Sequence, residues 1–456
     1  MSTQHPNLIF VFADQWRAQA AGYAGDPNAH TPNLDRFAPQ AVNAVNSVSC
    51  CPVCSPWRAS LITGQYPLTH GIFVNDQPLL GGPVRRSLGG GGFVSFADAL
   101  NDAGYDTAYI GKWHLHSGGR SAFIPPEHRL GFRFWRVLEC THEYNASAYY
   151  AGNRKEKLLW NGYDAEAQTL EACRYIREER VVGKAFALFL SWGPPHDPYQ
   201  TAPERFRKLF TPEALKLRPN VPKEAEARAR RDLAGYYAHT AALDECFGTL
   251  LDQIRTSGIE EDTLVVFTSD HGDMLGSQGA WKKQHPYDES VCVPFLIRGP
   301  GLSPRRVTTP LNAPDIMPTL LSLCGVEIPD GVQGEDLSAA LKVGKSEADR
   351  SALLALYMPF HELRKPQGRE YRGLRTERYT YIRDLAGPWL FFDNRDDPHQ
   401  MRNLALDPAC SAMIRKLDDE LTRKLKSLGD EFLRGEEYFR RYHIRLNKDG
   451  DTFYAP

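Results

Sequence analysis

Cys54-Ser55-Pro56-Trp57-Arg58 is the segment whose residue types and spacing offer the most chemistry. Pro56 suits the first turn of a helix, where its missing N–H would have gone unpaired anyway. Cys54 then lies at the helix N-terminus, where unpaired N–H groups and the helix dipole favour an anion. A thiolate in that position is a competent nucleophile. Arg58 sits on the first turns, within reach of the same end. Four further clusters carry Asp, His and Lys, and each follows a short apolar run. Asp14 follows Leu8–Ala13, and Gly111-Lys112-Trp113-His114 follows Thr107–Ile110. Ser191 to His196 follows Phe186–Leu190, and Ser269-Asp270-His271-Gly272 follows Thr263–Thr268. One such cluster alone is an ordinary exit from a strand. Four of them, all rich in the same reactive side chains, predict one shared site.

The elements that must position these groups follow from the runs themselves. They are short and do not alternate, which suits strands buried on both faces of a parallel sheet. Helical patterns lie between them. Ser95-Phe96-Ala97-Asp98 reads as a capping-box-like start to a helix running to Gly104, a C′ glycine. Ala225 to about Ile254 predicts one or two long helices, with Leu243, Phe247, Leu250, Leu251 and Ile254 at helical spacing. Strands alternating with helices make an α/β core, and in such sheets ligands bind beyond the carboxyl ends of the strands. After about Gly334 the texture changes. Arg375–Ile382 and Trp389–Phe392 predict antiparallel strands, and Ala412–Leu428 predicts a helix stopped by Gly429. The expected division is a catalytic α/β domain over residues 1–340 and a smaller C-terminal α+β subdomain with an antiparallel sheet over 341–456. Gly89–Gly92 reads as a flexible loop, since no strand immediately precedes it as a phosphate cradle would need. No internal repeat is found.

Composition sets the outer bounds. At roughly 150 residues per domain, 456 residues predict two or three domains. Hydrophobic residues are 42% and charged residues 24%, which excludes a mainly disordered chain. Lys+Arg 54 against Asp+Glu 56 gives a net charge of -2, which argues against a dedicated nucleic-acid binder. No apolar run approaches the roughly 18 residues a membrane helix needs. Met1–Pro6 is polar and lacks a signal-peptide pattern, so a cytoplasmic location is expected. Nine cysteines, an odd count spread over a long chain, read as reduced thiols there rather than as a disulfide framework. The sequence does not reveal an oligomeric state.

The spacing Cys54, Pro56, Arg58, continued by Ala59-Ser-Leu-Ile-Thr-Gly64, resembles the motif of the type I sulfatases. In that family an oxidising enzyme converts the cysteine to formylglycine (3-oxoalanine). Only Cys54 fits: four residues after Cys50 stands Cys54 instead of arginine, and two after Cys51 stands Val53. Other segments extend the resemblance over most of the chain. They are Thr31–Arg36, Gly104–His114, Pro194–Tyr199, Asp270–Gly276 with Trp281-Lys282-Lys283, Asp315–Thr319 and Asp397–Leu404.

The resemblance implies the alkaline phosphatase superfamily fold, a large α/β domain whose mixed, mostly parallel sheet is flanked by helices, with a small C-terminal sheet domain. It implies that Asp14, Asp270 and His271 bind a divalent cation together with an oxygen of the modified Cys54. Carboxylate oxygens suit Ca²⁺, and the imidazole keeps Mn²⁺ open. Gln15 and His271 stand where many sulfatases carry aspartate and asparagine, a pattern similar to choline sulfatases and phosphonate monoester hydrolases. Gln15 would ligate through its carbonyl. Arg58 and Lys112 should hold the modified side chain, with His114 as its proton partner. His196 and Lys283 should face the sulfate and the leaving oxygen, and Asn75 the sulfate. Periodicity does not decide between Lys282 and Lys283; the resemblance places Lys283. The implied activity is hydrolysis of a sulfate monoester, on a carbohydrate or an aryl group. The substrate is a sulfated small molecule or saccharide, and a formylglycine-generating enzyme is the partner in maturation. His142, Tyr144, Trp160 and His285 are candidates for the pocket that takes the organic part. One rival is a phosphonate monoester or phosphodiester hydrolase of the same superfamily. As the family is understood, that group replaces the counterparts of Lys112 and His114 with neutral hydroxyl residues. A second rival, a non-catalytic sulfate-binding protein, would need an unmodified Cys54.

Overall fold

Eight consecutive buried residues, Asn7–Asp14, form the central strand β1. The computed structural model describes residues 5–79, 92–344, 350–363 and 368–445, so the loop read at Gly89–Gly92 lies, apart from Gly92, outside the described residues. The remaining strands of the large sheet are β2 (Val42–Ala44), β4 (Asp106–Lys112), β5 (Phe134–Leu138), β6 (Ala148–Ala151), β7 (Leu158–Leu159), β8 (Phe186–Pro195), β9 (Thr263–Ser269), β10 (Phe295–Arg298) and β11 (Arg305–Val307). Their order is β11-β2-β10-β9-β1-β8-β4-β5-β6-β7. The run from β9 through β1 and β8 to β4 is parallel. The register puts Ala13 opposite Ser269, Asp14 opposite Pro195 and Gly111 opposite Ser191, so four strands end at one level. The short β3 (Ser47–Val48) pairs in parallel with β12 (Leu311–Asn312).

The pleat of β1 explains why its sequence does not alternate. Leu8, Phe10 and Phe12 enter one apolar cluster with Trp57 and the helix Ala313–Leu323. Ile9, Val11 and Ala13 enter another with the helices Asp164–Arg174 and Glu226–Thr256. Both faces are covered, so both sets of positions must be apolar. The predicted long helix is one helix, Glu226–Thr256, and the capped helix is Phe96–Asp102, where Ser95 accepts from the Asp98 N–H. No helix of the described residues is long and apolar enough to cross a membrane.

A second sheet is an antiparallel meander of β13 (Ser351–Leu356), β14 (Tyr371–Thr376), β15 (Tyr379–Asp384) and β16 (Gly387–Asp393). The stretch Arg375–Ile382, read from sequence as one strand, is a hairpin instead. Thr376 Oγ1 accepts from the Arg378 and Tyr379 N–H groups at 3.2 and 2.8 Å and closes the turn. The helix Ser411–Leu428 packs Ile414, Leu417, Leu421 and Leu425 inward and stops at Gly429, whose φ is 70°. The two sheets share a core: Leu353, Leu374 and Phe391 belong to the same cluster as Phe12 and Trp57. Ala355 N–H also donates to the Cys50 carbonyl at 2.8 Å, so the smaller sheet braces the segment leading to Cys54. All nine cysteines are free thiols.

His239, inside the long helix, makes this packing pH-sensitive. It is buried against Tyr144 and bonded to the Tyr163 hydroxyl at 2.6 Å. Burial pushes its pKa down to about 3. An unfolded chain protonates this ring near pH 6.5 while the folded one keeps it neutral. Its contribution to stability is therefore complete above about pH 6.5 and is lost as pH falls toward 3, at up to about 1.4 kcal/mol per pH unit. Thermal unfolding of His239→Gln should show a shallower loss of Tm on acidification than the parent; an identical slope would refute the assignment.

Candidate active site

The site is built on a short, wholly buried helix. Val53 is extended, and Cys54–Thr63 form the helix, whose ten residues are all buried. Trp57 packs on Phe12 of β1 with ring centroids 5.5 Å apart, and truncating this buried side chain to alanine would cost about 3–5 kcal/mol. That packing fixes the helix N-terminus above the carboxyl ends of β1 and β9. Cys54 is the first helical residue. Its Sγ lies 3.0 Å from Lys283 Nζ, 3.2 Å from His271 Nε2 and 3.6 Å from Asp14 Oδ1. Burial and Asp14 oppose ionisation of this thiol, but Lys112, Lys283 and His271 outweigh them and hold its pKa well below the ordinary value. Cys50 and Cys51 lack such company. Burial pushes Cys50 up to about 12 and Cys51 well above the ordinary range. Of three cysteines in five positions, one is activated.

Two cations stand against two acids beneath the sulfur. Arg58 Nη2 lies 3.1 Å from Asp270 Oδ2 and 3.5 Å from Asp14 Oδ2, and its Nη1 donates to Ser191 Oγ at 2.7 Å. Lys112 Nζ donates to Asp14 Oδ2. All four groups are buried, so removing one partner would strand an uncompensated charge, at about 3–5 kcal/mol. Burial would raise Asp14, but Lys112, His196, Lys283 and His271 keep it well below the usual carboxylate range. Asp270 goes the other way, raised by burial and by Asp14. Lys112 reaches its place because Gly111 lets β4 and β8 close up. A Cβ at Gly111, where φ is 106°, would stand 2.0 Å from the Ser191 carbonyl oxygen.

The same cluster fits a cation. Ligand atoms of Asp14, Cys54, Asp270 and His271 all lie within 4.8 Å of one another. His271 Nδ1 donates to the Gly272 carbonyl at 3.0 Å, so Nε2 faces the two carboxylates at 3.5 and 3.6 Å; Asp270 favours a proton there in spite of burial, and a cation would displace it. A ring held by its other nitrogen in this way is the posture of a metal ligand. Gln15, at a left-handed φ of 73°, gives its Nε2 to Asp273 Oδ2 at 2.7 Å. Its Oε1 is buried and has no hydrogen-bond partner among the described residues. The orphaned carbonyl belongs to the residue next to Asp14, whose own N–H donates to Asp270 Oδ1 at 3.0 Å, and such an oxygen would extend the carboxylate and imidazole donors toward the oxygen-rich set that Ca²⁺ takes.

The residues expected to handle protons lie near this cluster. His114, also at a positive φ, gives Nε2–H to Asp76 Oδ1 at 3.1 Å. Its Nδ1 is buried with no hydrogen-bond partner among the described residues. Burial alone would lower its pKa; the Cys140 sulfur, the Asp76 carboxylate and the Cys54 sulfur outweigh burial and raise it to about 10. His196 Nδ1 donates to the Asp197 carbonyl at 2.8 Å, so its Nε2 accepts from Lys283 Nζ at 3.1 Å. Burial and Lys283 keep His196 neutral. Lys283 turns inward between left-handed residues Lys282 and Gln284, while Lys282 reaches outward to Asp197 at 3.6 Å. The Cys54 sulfur helps raise Lys283 to about 12 in spite of burial. Asn75 Oδ1 accepts from the Ser55 N–H at 3.1 Å, on the rim of the helix end.

Of the pocket candidates, His142 stacks on His196 with centroids 4.7 Å apart. Tyr144 and Trp160 lie deeper: Tyr144 reaches the Gly193 carbonyl, and Trp160 stacks on Tyr149. His285 is half-buried, and no contact brings it to the sulfur. Sequence reasoning assigned no role to Asp76, Ser191, Asp273 or Tyr199. Ser191, Tyr199 and Asp273 lay within the segments singled out, Asp273 two residues beyond His271 in Asp-His-Gly-Asp, whereas Asp76 carried no signal.

Comparison with known proteins agrees with this geometry. Residues 6–326 match the sulfatase family, and residues 276–427 match the C-terminal region of N-sulphoglucosamine sulphohydrolase. An ulvan-active sulfatase of Formosa agariphila is 43% identical over 97% of this chain and 86% of its own length. A solved structure from work on the metabolism of multiple glycosaminoglycans by Bacteroides thetaiotaomicron superposes with a TM-score of 0.84 at 30% identity, covering 96% of this chain and 99% of that one. The phosphonate monoester hydrolase of Agrobacterium radiobacter shares the fold, with a TM-score of 0.73 at 23% identity over 99% of this chain and 100% of that one. The ordered strand ends, the buried Cys-x-Pro-x-Arg helix and the family match over more than half of the sequence lead to one assignment: this chain belongs to the sulfatase family, a group of sulfuric ester hydrolases on the alkaline phosphatase superfamily fold.

Proposed function

We propose that the protein cleaves a sulfate monoester on a saccharide to the alcohol and inorganic sulfate, using formylglycine made from Cys54 and one divalent cation. The observation that carries this is the convergence of Lys283, His271 and Asp14 on one sulfur at a helix N-terminus. The saccharide follows from the ulvan-active relative and from the glycosaminoglycan context of the similar solved structure. Asp14, Gln15, Asp270 and His271 would hold the cation, Ca²⁺ by its oxygen ligands, with Mn²⁺ as the alternative. Such an ion would polarise and partly neutralise the sulfuryl oxygens. Hydrated formylglycine would supply one hydroxyl to attack sulfur and a second through which sulfate is expelled.

The chain's own side chains do the rest. Arg58 and Lys112 hold Asp14 and Asp270 in one geometry and bring positive charge under the attacking group. Lys283 faces the sulfuryl oxygens. Lys283 and His196 share a hydrogen bond, and this pair delivers a proton to the leaving alcohol oxygen. Asp76 holds the Nε2–H of His114; conversion of Cys54 would remove one of the sulfurs that raise this ring, and the neutral ring would then take the proton of the second hydroxyl at Nδ1 when sulfate departs. Asn75 steadies the helix end that the sulfate approaches.

The mass of the peptide containing Cys54 and sulfate release from a panel of sulfated saccharides test the reading. An intact thiol in fully active protein would overturn it. The cation is tested separately. Asp14→Ala and Asp270→Ala should each lose bound metal by elemental analysis and lower kcat/KM by on the order of 10³-fold. Wild-type metal content in both variants would show the site to be misplaced.

A further inference from the structure

We propose that Asp273 is a positioning residue that fixes which end of the Gln15 side-chain amide faces the cation site, an inference that rests on Gln15 as a ligand. Asp273 is wholly buried. Its Oδ1 accepts from the backbone N–H groups of Leu275 at 3.1 Å and Lys282 at 3.0 Å. Its Oδ2 accepts from the Tyr199 hydroxyl at 2.6 Å and from Gln15 Nε2 at 2.7 Å. Four donors thus meet one carboxylate. A glutamine amide can rotate by half a turn and exchange its oxygen for its nitrogen at almost no steric difference. Against an acceptor-only carboxylate it has one choice: nitrogen toward Asp273, oxygen away. The oxygen is then the buried Oε1 that has no hydrogen-bond partner among the described residues. It adjoins Asp14 in the chain, and the Gln15 N–H is itself bonded to Asp270 Oδ1 at 3.0 Å. The orientation matters because a carbonyl oxygen can ligate a hard cation and an NH₂ group cannot. The same carboxylate anchors the Lys282 N–H, one residue before Lys283, so ligand and lysine are set from one point.

An asparagine at 273 would break this choice in a defined way. The two backbone N–H groups would claim its oxygen, leaving its NH₂ where Oδ2 had been. Gln15 would then turn its oxygen toward that NH₂ and present nitrogen to the cation. Chelator-stripped protein titrated with Ca²⁺ alone reads the effect. Asp273→Asn should weaken Ca²⁺ binding by ~10–100-fold. Gln15→Glu supplies the second arm, since a carboxylate has oxygen at both ends. It should restore affinity in the Asp273→Asn background, where it meets an NH₂. In the parent background it should bring no gain, because it would meet the Asp273 carboxylate. A merely structural Asp273 predicts the same effect of Gln15→Glu in both backgrounds. Equal effects, or unchanged Ca²⁺ affinity in Asp273→Asn, would overturn the proposal. If Asp273→Asn fails to fold, Gln15→Glu in the parent decides: tighter binding overturns the proposal and no gain sustains it. Absence of Ca²⁺ and Mn²⁺ binding to the parent protein would instead refute the cation site itself, so the two failures are distinguishable.

Discussion

Cys54→Ala, expressed in a host able to convert the parent, should lower kcat/KM toward sulfated saccharides by on the order of 10⁵-fold or more, since it removes the group that forms the covalent bond. Cys50→Ala and Cys51→Ala should keep turnover and lose about 1 kcal/mol of stability each, because both are buried, unactivated thiols packed in the core. Sulfate release and thermal unfolding measured on the three variants separate the cases, and full activity in Cys54→Ala would sink the assignment. Cys54→Ser refines the test. Lys283, His271 and Asp14 still surround the side-chain atom at 54. Serine can attack sulfur but carries no second hydroxyl on the same carbon, so release by collapse to an aldehyde is closed to it. Intact mass should show one added SO₃ on the serine variant after exposure to substrate and none on the alanine variant.

The second large effect concerns His114. His114→Ala should reduce steady-state kcat by about 10²–10⁴-fold, the usual loss of a positioned acid or base. The loss should fall on sulfate release rather than on the first attack. Rapid mixing should therefore show a burst of alcohol, one per active site, before slow turnover. A uniform slowing without a burst would place His114 in the first step instead. The same residue separates sulfate from phosphonate chemistry. In the proposed mechanism a sulfate ester expels its alcohol with charge gathering on the leaving oxygen, which the hydrogen-bonded Lys283–His196 pair would meet, and release would then need His114, the base bonded to Asp76. With one aryl leaving group on all three, the parent enzyme should prefer the sulfate ester over the phosphonate or phosphate diester by about tenfold or more, the worth of one charge-assisted hydrogen bond. A preference for the phosphonate would move the protein to that class despite Lys112 and His114.

Strand type and site membership were legible in the sequence because both leave local marks. Leu8–Ala13 and Thr263–Thr268 are apolar throughout because β1 and β9 are covered on two faces, and the polar residue that ends each run stands at the sheet's carboxyl edge. The Cys54 helix announced itself through proline and arginine at fixed offsets from the cysteine. What stayed hidden depends on contacts between distant segments. The hairpin inside Arg375–Ile382 is closed by one threonine hydroxyl, which no periodicity registers. Asp76 and Ser191 matter only because the fold brings them to His114 and Arg58. The choice of Lys283 over Lys282 turns on left-handed backbone at Lys282 and Gln284, neither of which is glycine.

If Cys54 is converted to formylglycine as proposed, the burial of the Cys54–Thr63 helix sets a clock on that conversion. Its ten residues are enclosed by β1, the helix Ala313–Leu323 and the segment that the smaller sheet holds at Cys50. No second protein can grip Cys54, Pro56 and Arg58 together once that enclosure has formed. Conversion, as proposed, would therefore have to happen on the nascent or unfolded chain, and it would compete with folding. A molecule that folded first would keep its thiol for as long as it stayed folded. Two populations would then coexist, alike in shape and in melting temperature to a first approximation, yet divided into working and silent copies. The specific activity of a preparation would record how each chain spent its first moments, and slowing synthesis or supplying more of the converting enzyme should raise it where later treatment of the folded protein does not.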